Sequence, residues 1–363
     1  MEHPENDPKY SGLMVNKGIS RPPSVNPYMK KPLRSSTLSV TEYVDGILSG
    51  DRVILSRAVT LVESSRPEHQ DMAQAIIEKC LSYAGNSIRV GITGVPGAGK
   101  STSIDAFGIH LLKNGHKLAV LAIDPSSERS KGSILGDKTR MEKLSREHDA
   151  FIRPSPSAGS LGGVARKTRE SIILCEAAGF DYLFVETVGV GQSETAVHSM
   201  VDFFLLIQLA GTGDELQGIK RGIMEMADGI VINKADGDNI DKAKMAQRQL
   251  KNALHLYPVP ESGWIPEVLT YSGFYDIGID EVWDMVHRYV DFVKLNGYFD
   301  RKRKEQAKFW MFESINEQLR NGFYRDPEIA KLLSDLEKEV LCDRKSSFVA
   351  AKEALDRYYQ RKK

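Results

Sequence analysis

The 363-residue chain lacks the sequence features of several protein classes. Its three cysteines (Cys80, Cys175 and Cys342) lie far apart and form no C-x-x-C pair, which argues against a disulfide framework or a cysteine metal cluster and favours a reducing compartment. No run of about 18 apolar residues occurs, so the sequence predicts no membrane span. Basic and acidic residues both total 49. Without a basic excess, a nucleic-acid-binding protein is not expected.

The N-terminal segment 1–38 has a composition that disfavours regular structure. Proline fixes φ and removes a backbone donor, so a Pro-rich stretch suits neither a helix nor a ladder strand. The acidic start and the absence of an apolar stretch argue against a secretory signal, and an Arg-rich import peptide fits poorly. We therefore expect a surface tail on a cytoplasmic protein, with a partner-binding arm as the alternative. Six of the fifteen prolines fall here: Pro4, Pro8, Pro22, Pro23, Pro27 and Pro32.

The remaining chain contains enough apolar material for a sizeable core, with 41% hydrophobic and 27% charged residues. Helical periodicity predicts helices over 39–49, 52–64 and 68–83. Short apolar runs then alternate with amphipathic stretches, a pattern that predicts an α/β fold with a mostly parallel sheet covered on both faces. The predicted strands are 88–93, 117–123, 182–186, 203–208, 229–233 and 268–271.

After Trp283 the pattern is helical to the end, with breaks near 321–327 and 342–346. Two apolar stripes in this region fit either packing within one chain or a dimer seam. The predicted organisation is a Pro-rich tail (1–38), an N-terminal helical segment (39–85), an α/β domain (86–297) and a C-terminal helical segment (298–363). The stripes consist of Phe309, Trp310, Phe312, Ile315 and Leu319, and of Ile329, Leu332, Leu333, Leu336 and Val340.

The segment from Gly94 to Ser101 matches the pattern G-x-x-x-x-G-K-S/T without a mismatch. A predicted strand precedes it and a helical pattern follows, as in a phosphate-binding loop. Glycines let the backbone wrap phosphate oxygens, and the helix start adds its positive dipole end. Lys100 supplies a charge for the β- and γ-phosphates, and Ser101 offers a hydroxyl to Mg²⁺. The expected nucleotide contacts are Gly94, Pro96, Gly97, Ala98, Gly99, Lys100, Ser101 and Thr102.

A second motif, Asn233-Lys234-Ala235-Asp236, follows the predicted strand 229–233 and indicates guanine as the base. The Asp236 carboxylate can accept hydrogen bonds from both N1–H and the 2-amino group of guanine. Adenine offers no such pair of donors and would leave the carboxylate unpaired. The aliphatic stem of Lys234 can lie on the ring. Ser272 and Gly273, after the next predicted strand, are candidates for a contact to the guanine oxygen.

Acidic residues end two predicted strands at the edge where the phosphate loop lies, which is the edge where open α/β sheets bind ligands. Asp124 ends one strand and Glu186 another. Because Mg²⁺ usually keeps several waters, the longer glutamate can reach the ion directly or through a water. Asp137, in the long segment after Asp124, is a third candidate ligand. Gly189 can direct its N–H at the γ-phosphate, in a loop that rearranges on hydrolysis.

Two further segments are predicted to respond to the nucleotide. Gln192 is displaced from the position that often orients the attacking water, so we favour a switch role for Gln192 and Glu194. The glycine-rich segment 211–220 follows another strand end. Asp214 and Lys220 in it are candidates for a salt bridge exchanged between states. The alternative is a static connection capped by Asp214.

Together these segments closely resemble one family. GVPGAGKST, IDPSS, ETVGVGQSE, GDELQGIK and NKAD are similar to the motifs of MeaB/ArgK-type GTPases, the chaperones associated with methylmalonyl-CoA mutase. The mitochondrial member of that family is involved in cobalamin metabolism. The resemblance spans about residues 40–340, and the ETVGxGQSE stretch is its most specific part. The tail departs from a mitochondrial member because it lacks a recognisable import signal.

The resemblance implies a P-loop GTPase whose GTP–Mg²⁺ site uses Lys100, Ser101, Asp124, Asp137 and Glu186, with Asp236 on guanine. It strengthens the assignment of Asp137 and implies that 192–194 and 214–220 are nucleotide-sensitive switches. It further implies a homodimer, built largely by the C-terminal helices. The client would be an adenosylcobalamin-dependent acyl-CoA mutase of the methylmalonyl-CoA mutase type. GTP binding and hydrolysis would gate the loading of its cofactor and the exchange of damaged cofactor.

Turnover of GTP by the chain alone is expected to be slow. No residue stands out as an arginine finger, since spacing does not choose among Arg129, Arg140 and Arg166. We therefore expect the client to accelerate hydrolysis.

Two other functions remain open from the sequence. A kinase of a lysine/arginine/ornithine transport system would transfer the γ-phosphate to an acceptor, whereas a GTPase releases free phosphate. A metal-insertion GTPase would need a Cys/His cluster, and the sequence has no His-rich tract and no C-x-x-C or C-x-H pair.

Overall fold

In the computed structural model, the described residues are 38–124, 141–156, 161–187, 193–210 and 221–361. The chain from Val40 to Lys363 forms one compact unit. The predicted division of the chain into four segments stays a prediction. Within the described ranges, no helix combines the length and the apolar character needed to cross a bilayer.

Three helices precede the sheet: α1 (Val40–Leu48), α2 (Arg52–Glu63) and α3 (Pro67–Cys80). Asp51 caps α2 because its side chain accepts hydrogen bonds from the N–H groups of Val53 and Ile54. Pro67 opens α3, a position where the missing donor costs nothing. These helices confirm the three that periodicity predicts.

Among the described residues, seven strands form one sheet in the order β3-β2-β4-β1-β5-β6-β7. Every neighbouring pair is parallel. The predicted α/β fold with a mostly parallel sheet flanked by helices is therefore confirmed. The strands are β1 (Ile88–Gly94), β2 (Leu118–Asp124), β3 (Ala150–Pro156), β4 (Tyr182–Thr187), β5 (Phe203–Leu209), β6 (Gly229–Asn233) and β7 (Glu267–Thr270).

The sequence prediction missed strand β3, which contains Pro154 and Pro156. In the parallel pair β2–β3, the Leu118 N–H donates to the Asp149 carbonyl. The N–H and C=O groups of successive residues point to opposite sides of a strand. The backbone groups of the odd-numbered β3 residues therefore point toward β2, and those of the two prolines point away from it. Because β3 is an edge strand, the missing proline donors interrupt no ladder. The sequence prediction therefore missed this strand because of its prolines, which a β-strand accepts only at the edge of a sheet.

Helices α4 (Lys100–Lys113), α5 (Leu161–Ala177), α6 (Ser193–His198), α7 (Arg221–Met226), α8 (Ile240–Leu254) and α9 (Ile279–Leu295) connect and cover the strands. On one face, α4 and α9 bury an aromatic cluster. The Trp283 ring stacks on Phe184 at 5.9 Å and meets Phe107 edge-on at 6.1 Å. This cluster fixes α4, the helix that begins at the phosphate-loop lysine.

The C-terminal region is helical, as predicted, with α10 (Tyr298–Tyr324), α11 (Pro327–Leu341) and α12 (Ser347–Arg361). Helix α10 is tied to the amino edge of the sheet by buried charges. Arg303 donates to both carboxylate oxygens of Asp202, at 2.8 and 2.6 Å. Lys302 donates to the Asp202 carbonyl at 2.8 Å. Arg89 forms a two-pronged pair with Glu176, at 2.8 and 2.9 Å.

Candidate functional site

The loop between β1 and α4 has the backbone that its glycines permit. Gly97 and Gly99 adopt φ values of 82° and 87°, in the left-handed region that other residues rarely enter. Gly94 lies so close to β5 that an added Cβ would fall 2.3 Å from the Ile207 carbonyl oxygen. The loop therefore packs tightly against the sheet edge, and the first turn of α4 begins at its end.

Lys100, the first residue of α4, folds back over its own loop. Its Nζ donates to the Gly94 carbonyl at 2.8 Å and to the Val95 carbonyl at 3.3 Å. Burial lowers the pKa of Lys100, and the negative charges of Glu186 and Glu194 oppose that shift. A phosphate would offer this ammonium charged acceptors in place of two neutral carbonyls.

Two of the predicted magnesium ligands, one on the first turn of α4 and one on β4, are in contact. The Ser101 hydroxyl donates to Glu186 Oε1 at 3.2 Å. Hydroxyl and carboxylate oxygens are the ligands that Mg²⁺ prefers, so this pair fits the ion that the motif implies. Asp124 is the last residue of β2, and the register pairs Ile123 with Thr187 at the same edge.

Several predicted site residues cannot be placed in this arrangement. The side chain of Asp124 lies outside the described part of the structure, as do Asp137 and Gly189. The same holds for the predicted switch residues Gln192, Asp214 and Lys220. Their assignments stay predictions.

Asn233 joins the phosphate loop to the loops on the base side. Its buried amide Nδ2 donates to the Ala98 carbonyl at 2.8 Å. Its Oδ1 accepts from the N–H of Gly273 at 3.1 Å and from that of Lys234 at 2.8 Å. The predicted nucleotide contact of Asn233 stays a prediction, and the geometry shows in addition that Asn233 holds three backbone segments together.

The same amide explains one glycine of the phosphate loop. A Cβ on Gly99 would lie 2.5 Å from Asn233 Nδ2. Position 99 therefore requires glycine, because the phosphate loop approaches Asn233 too closely to leave space for a side chain.

The carboxylate of Asp236 is oriented by Ser272, whose hydroxyl donates to Asp236 Oδ2 at 2.6 Å. Ser272 is itself buried and forms an antiparallel bridge with Ile277. Lys234 adopts a left-handed φ of 61°, and the N–H of Ala235 donates to the Tyr271 carbonyl. The base-side loop and the segment after β7 therefore form one unit that presents Asp236.

Sequence reasoning missed a polar contact beneath the phosphate loop. Ser103 on α4 donates to the Gly99 carbonyl at 2.8 Å, and its oxygen lies 2.5 Å from the Tyr271 hydroxyl. Because the serine proton is used on Gly99, Tyr271 is the donor to Ser103. Burial raises the pKa of Tyr271, which keeps this hydroxyl protonated. The sequence does not predict this role, because Ser103 occupies an ordinary position in the helical pattern.

A second contact that sequence reasoning missed joins β1, which leads into the phosphate loop, to the neighbouring strand β4. The Thr187 hydroxyl donates to the Thr93 hydroxyl at 3.0 Å, and both side chains are buried.

Glu194, the one predicted switch residue that is described, is buried in the first turn of α6. Burial lowers the pKa of Lys100, and the negative charge of Glu194 partly opposes that shift.

Comparison with known proteins identifies relatives over most of the chain. The family model described as methylmalonyl Co-A mutase-associated GTPase MeaB matches residues 55–328. A probable GTPase of Mycobacterium tuberculosis is 49% identical, covering 86% of this chain and 94% of the relative. GTPase ArgK of Escherichia coli K12 is 46% identical, covering 80% and 88% of the two chains.

Two further relatives have other names. The Mus musculus protein named methylmalonic aciduria type A homolog, mitochondrial, is 42% identical, covering 91% of this chain and 83% of the relative. A solved structure named LAO/AO transport system kinase is 36% identical with a TM-score of 0.70, covering 88% of this chain and 97% of that chain.

Proposed function

Because this chain belongs to the MeaB family of methylmalonyl-CoA mutase-associated GTPases, we propose that its GTP cycle gates adenosylcobalamin loading and protection of an acyl-CoA mutase. The chain is a GTPase by its family. Its proposed client is of the methylmalonyl-CoA mutase type. A cytoplasmic location is part of the same proposal.

The three-way contact of Asn233 carries the proposal. It joins the phosphate loop to the base-side loops. A nucleotide bound along this edge would meet its phosphate and base sites already in fixed relative positions. Such preorganisation reduces the entropy lost on binding.

The proposed roles follow from these positions. Gly94, Pro96, Gly97, Ala98, Gly99 and Thr102 would surround the phosphates, and Lys100 would bind the β- and γ-oxygens. Ser101 and Glu186 would hold Mg²⁺, together with Asp124 and Asp137. Asp236 would accept from guanine, oriented by Ser272, with Lys234 along the ring and Gly273 near the guanine oxygen.

Loss of the γ-phosphate would change the contacts of the switch segments. Gly189 and the Mg²⁺ ligands would be released together, and Gln192, Glu194, Asp214 and Lys220 would adjust. A client in contact with these segments can be shifted only by its differential affinity for the two states. We therefore propose slow turnover alone and faster turnover with the mutase.

A homodimer is also part of the proposal, and the two apolar stripes differ in their support for it. In the second stripe, Ile329 and Leu336 are buried within the chain. In the first stripe, Trp310 is buried, and its indole N–H donates to the Ser199 carbonyl at 3.1 Å. Phe312 and Leu319, by contrast, are 51% and 62% exposed. An apolar row of this kind on α10 suits a second copy of the chain.

Light scattering tests the dimer. We expect twice the chain mass at micromolar concentration for the wild type and a single chain for Phe312→Glu/Leu319→Glu. A single-chain mass for the wild type would refute this part of the proposal.

Calorimetry and a pull-down test the function. We expect GTP and GDP to bind with Mg²⁺ and ATP to bind far more weakly. With a non-hydrolysable GTP analogue, the chain should retain an acyl-CoA mutase from extract of its own cells. Preference for ATP, or γ-phosphate transferred from labelled GTP to a transport protein, would favour instead the kinase activity named for the solved relative.

A further inference from the structure

Tyr271 connects the base-side loop to the first turns of α4. Its N–H donates to the Ile232 carbonyl and its carbonyl accepts from the Ala235 N–H, both at 3.0 Å, so its backbone is fixed to the base-side loop. Its side chain extends to α4, where the hydroxyl lies 2.5 Å from Ser103 Oγ. Because both side chains are buried, water does not compete for the hydrogen bond between them.

The ring of Tyr271 is held by packing that does not depend on its hydroxyl. It stacks on the buried ring of Phe107, with ring centres 5.4 Å apart and an angle of 22° between the planes. Such a stacked pair contributes to stability beyond the area that it buries. Replacing Tyr271 with phenylalanine would therefore remove one hydrogen bond and leave the packing in place.

Ser103 in turn orients the peptide group between Gly99 and Lys100. The Gly99 carbonyl accepts from the Ser103 N–H at 2.9 Å and from the Ser103 hydroxyl at 2.8 Å. This carbonyl therefore points along α4. Because a trans peptide group is planar, with its N–H opposite to its C=O, the Lys100 N–H points out of the start of the helix. That is the direction in which a phosphate loop binds its phosphates.

The hydrogen bonds from Tyr271 to this peptide group form a chain with a single direction. The Tyr271 hydroxyl donates to Ser103, and the Ser103 hydroxyl donates to the Gly99 carbonyl. Bonds in such a chain polarise one another, so the bonds on the carbonyl make the N–H of the same peptide group a stronger donor. We propose that Tyr271 is a positioning residue: acting through Ser103, its hydroxyl orients and polarises the first peptide group of α4 toward the β-phosphate. This role rests on the nucleotide contacts of the proposed function.

Binding of GDP to the full chain, measured by calorimetry with Mg²⁺ present, tests this role. We expect Tyr271→Phe to weaken GDP binding by about threefold to tenfold, because one hydrogen bond of the chain is lost. Ser103→Ala should weaken it at least as much. The double variant should bind GDP as Ser103→Ala does, because the Tyr271 hydroxyl acts through Ser103.

Tyr289→Phe is the matched control. Tyr289 is also a buried tyrosine, and its hydroxyl donates to the Asp202 carbonyl at 3.2 Å. The variant therefore makes the same chemical change at the amino edge of the sheet, away from the phosphate loop. It should bind GDP as the wild type does, and thermal melting would verify that each variant is folded.

Phosphorus NMR of bound GDP distinguishes positioning from a purely structural role. The β-phosphorus resonance should shift in Tyr271→Phe, because the donor facing that phosphate changes, and should keep its wild-type position in Tyr289→Phe. Unchanged GDP affinity in Tyr271→Phe, an unmoved resonance, or additive losses in the double variant would each overturn the proposal while leaving the proposed function intact. Failure of the wild type to bind GDP would overturn both.

Discussion

The two edges of the parallel sheet carry polar residues in different arrangements. At the amino edge, Arg89, Glu176, Asp202 and Arg303 pair with opposite charges in the interior. At the carboxyl edge, Lys100 and Asn233 bond to neutral backbone groups of nearby loops. The amino edge therefore uses charge to hold α10 on the sheet. At the carboxyl edge, a charged ligand can replace the neutral carbonyls that Lys100 contacts, while Asn233 holds the neighbouring loops through their backbone groups.

The largest expected effect is at the amino edge. Arg303→Ala would leave the buried Asp202 carboxylate without its principal partner, which typically costs about 3–5 kcal/mol of unfolding free energy. Urea denaturation would measure it. The control is Arg288→Ala, because Arg288 pairs with Glu267 at the surface and should cost about 1 kcal/mol or less. Similar losses in both variants would mean that burial does not make the Arg303–Asp202 pair more important than a surface pair.

At the carboxyl edge, the effect should fall on activity. Lys100→Ala is expected to lower kcat for GTP hydrolysis by about a hundredfold or more, since it removes a positive charge from the developing transition state. Its stability should remain near that of the wild type, because within the described residues the ammonium donates only to two carbonyls. Single-turnover phosphate release and thermal melting, measured together, would show whether the two effects separate.

Guanine recognition should depend on Asp236 more than on the residue that orients it. Asp236→Asn is expected to weaken GTP binding by about tenfold to a hundredfold, because a charged acceptor is lost. Ser272→Ala keeps the charged acceptor, removes only the hydroxyl that orients it, and should weaken binding by about tenfold at most. Titration of both variants with GTP and ATP would check the order. A larger loss in Ser272→Ala would mean that orientation dominates over charge.

A pH dependence of stability is also expected near the amino edge. Burial, assisted by the positive charge of Lys302, lowers the pKa of His198 to about 4. The unfolded chain therefore binds this proton at a higher pH than the folded protein does. The stabilisation is complete above pH of about 6.5 and is lost as the pH falls from there toward about 4, by at most about 3 kcal/mol.

Urea denaturation at pH 7.5 and pH 5 would measure this loss. His198→Asn should show a smaller decrease in stability between the two pH values than the wild type. An equal decrease in the two proteins would assign the pH dependence to other groups.

Sequence patterns predicted the elements better than the contacts between them. The phosphate loop was predictable because its glycines and the flanking periodicities are local signals. The six predicted strands were found for the same reason, whereas β3 was not, because its prolines contradict strand propensity unless the strand is known to be at an edge. Ser272 was predicted near the base, but its bond to Asp236 was not.

What the sequence determined by itself is the α/β pattern with six of the seven described strands, and the position of each motif at a strand end. Those properties depend on backbone preferences and apolar periodicity within short windows. Two contacts depend on the tertiary structure alone: Asn233 donates a hydrogen bond to the phosphate loop, and Arg303 donates one to the Asp202 carboxylate. The partners in those contacts are more than a hundred positions apart. No short window contains both, and packing of the sheet brings them within bonding distance.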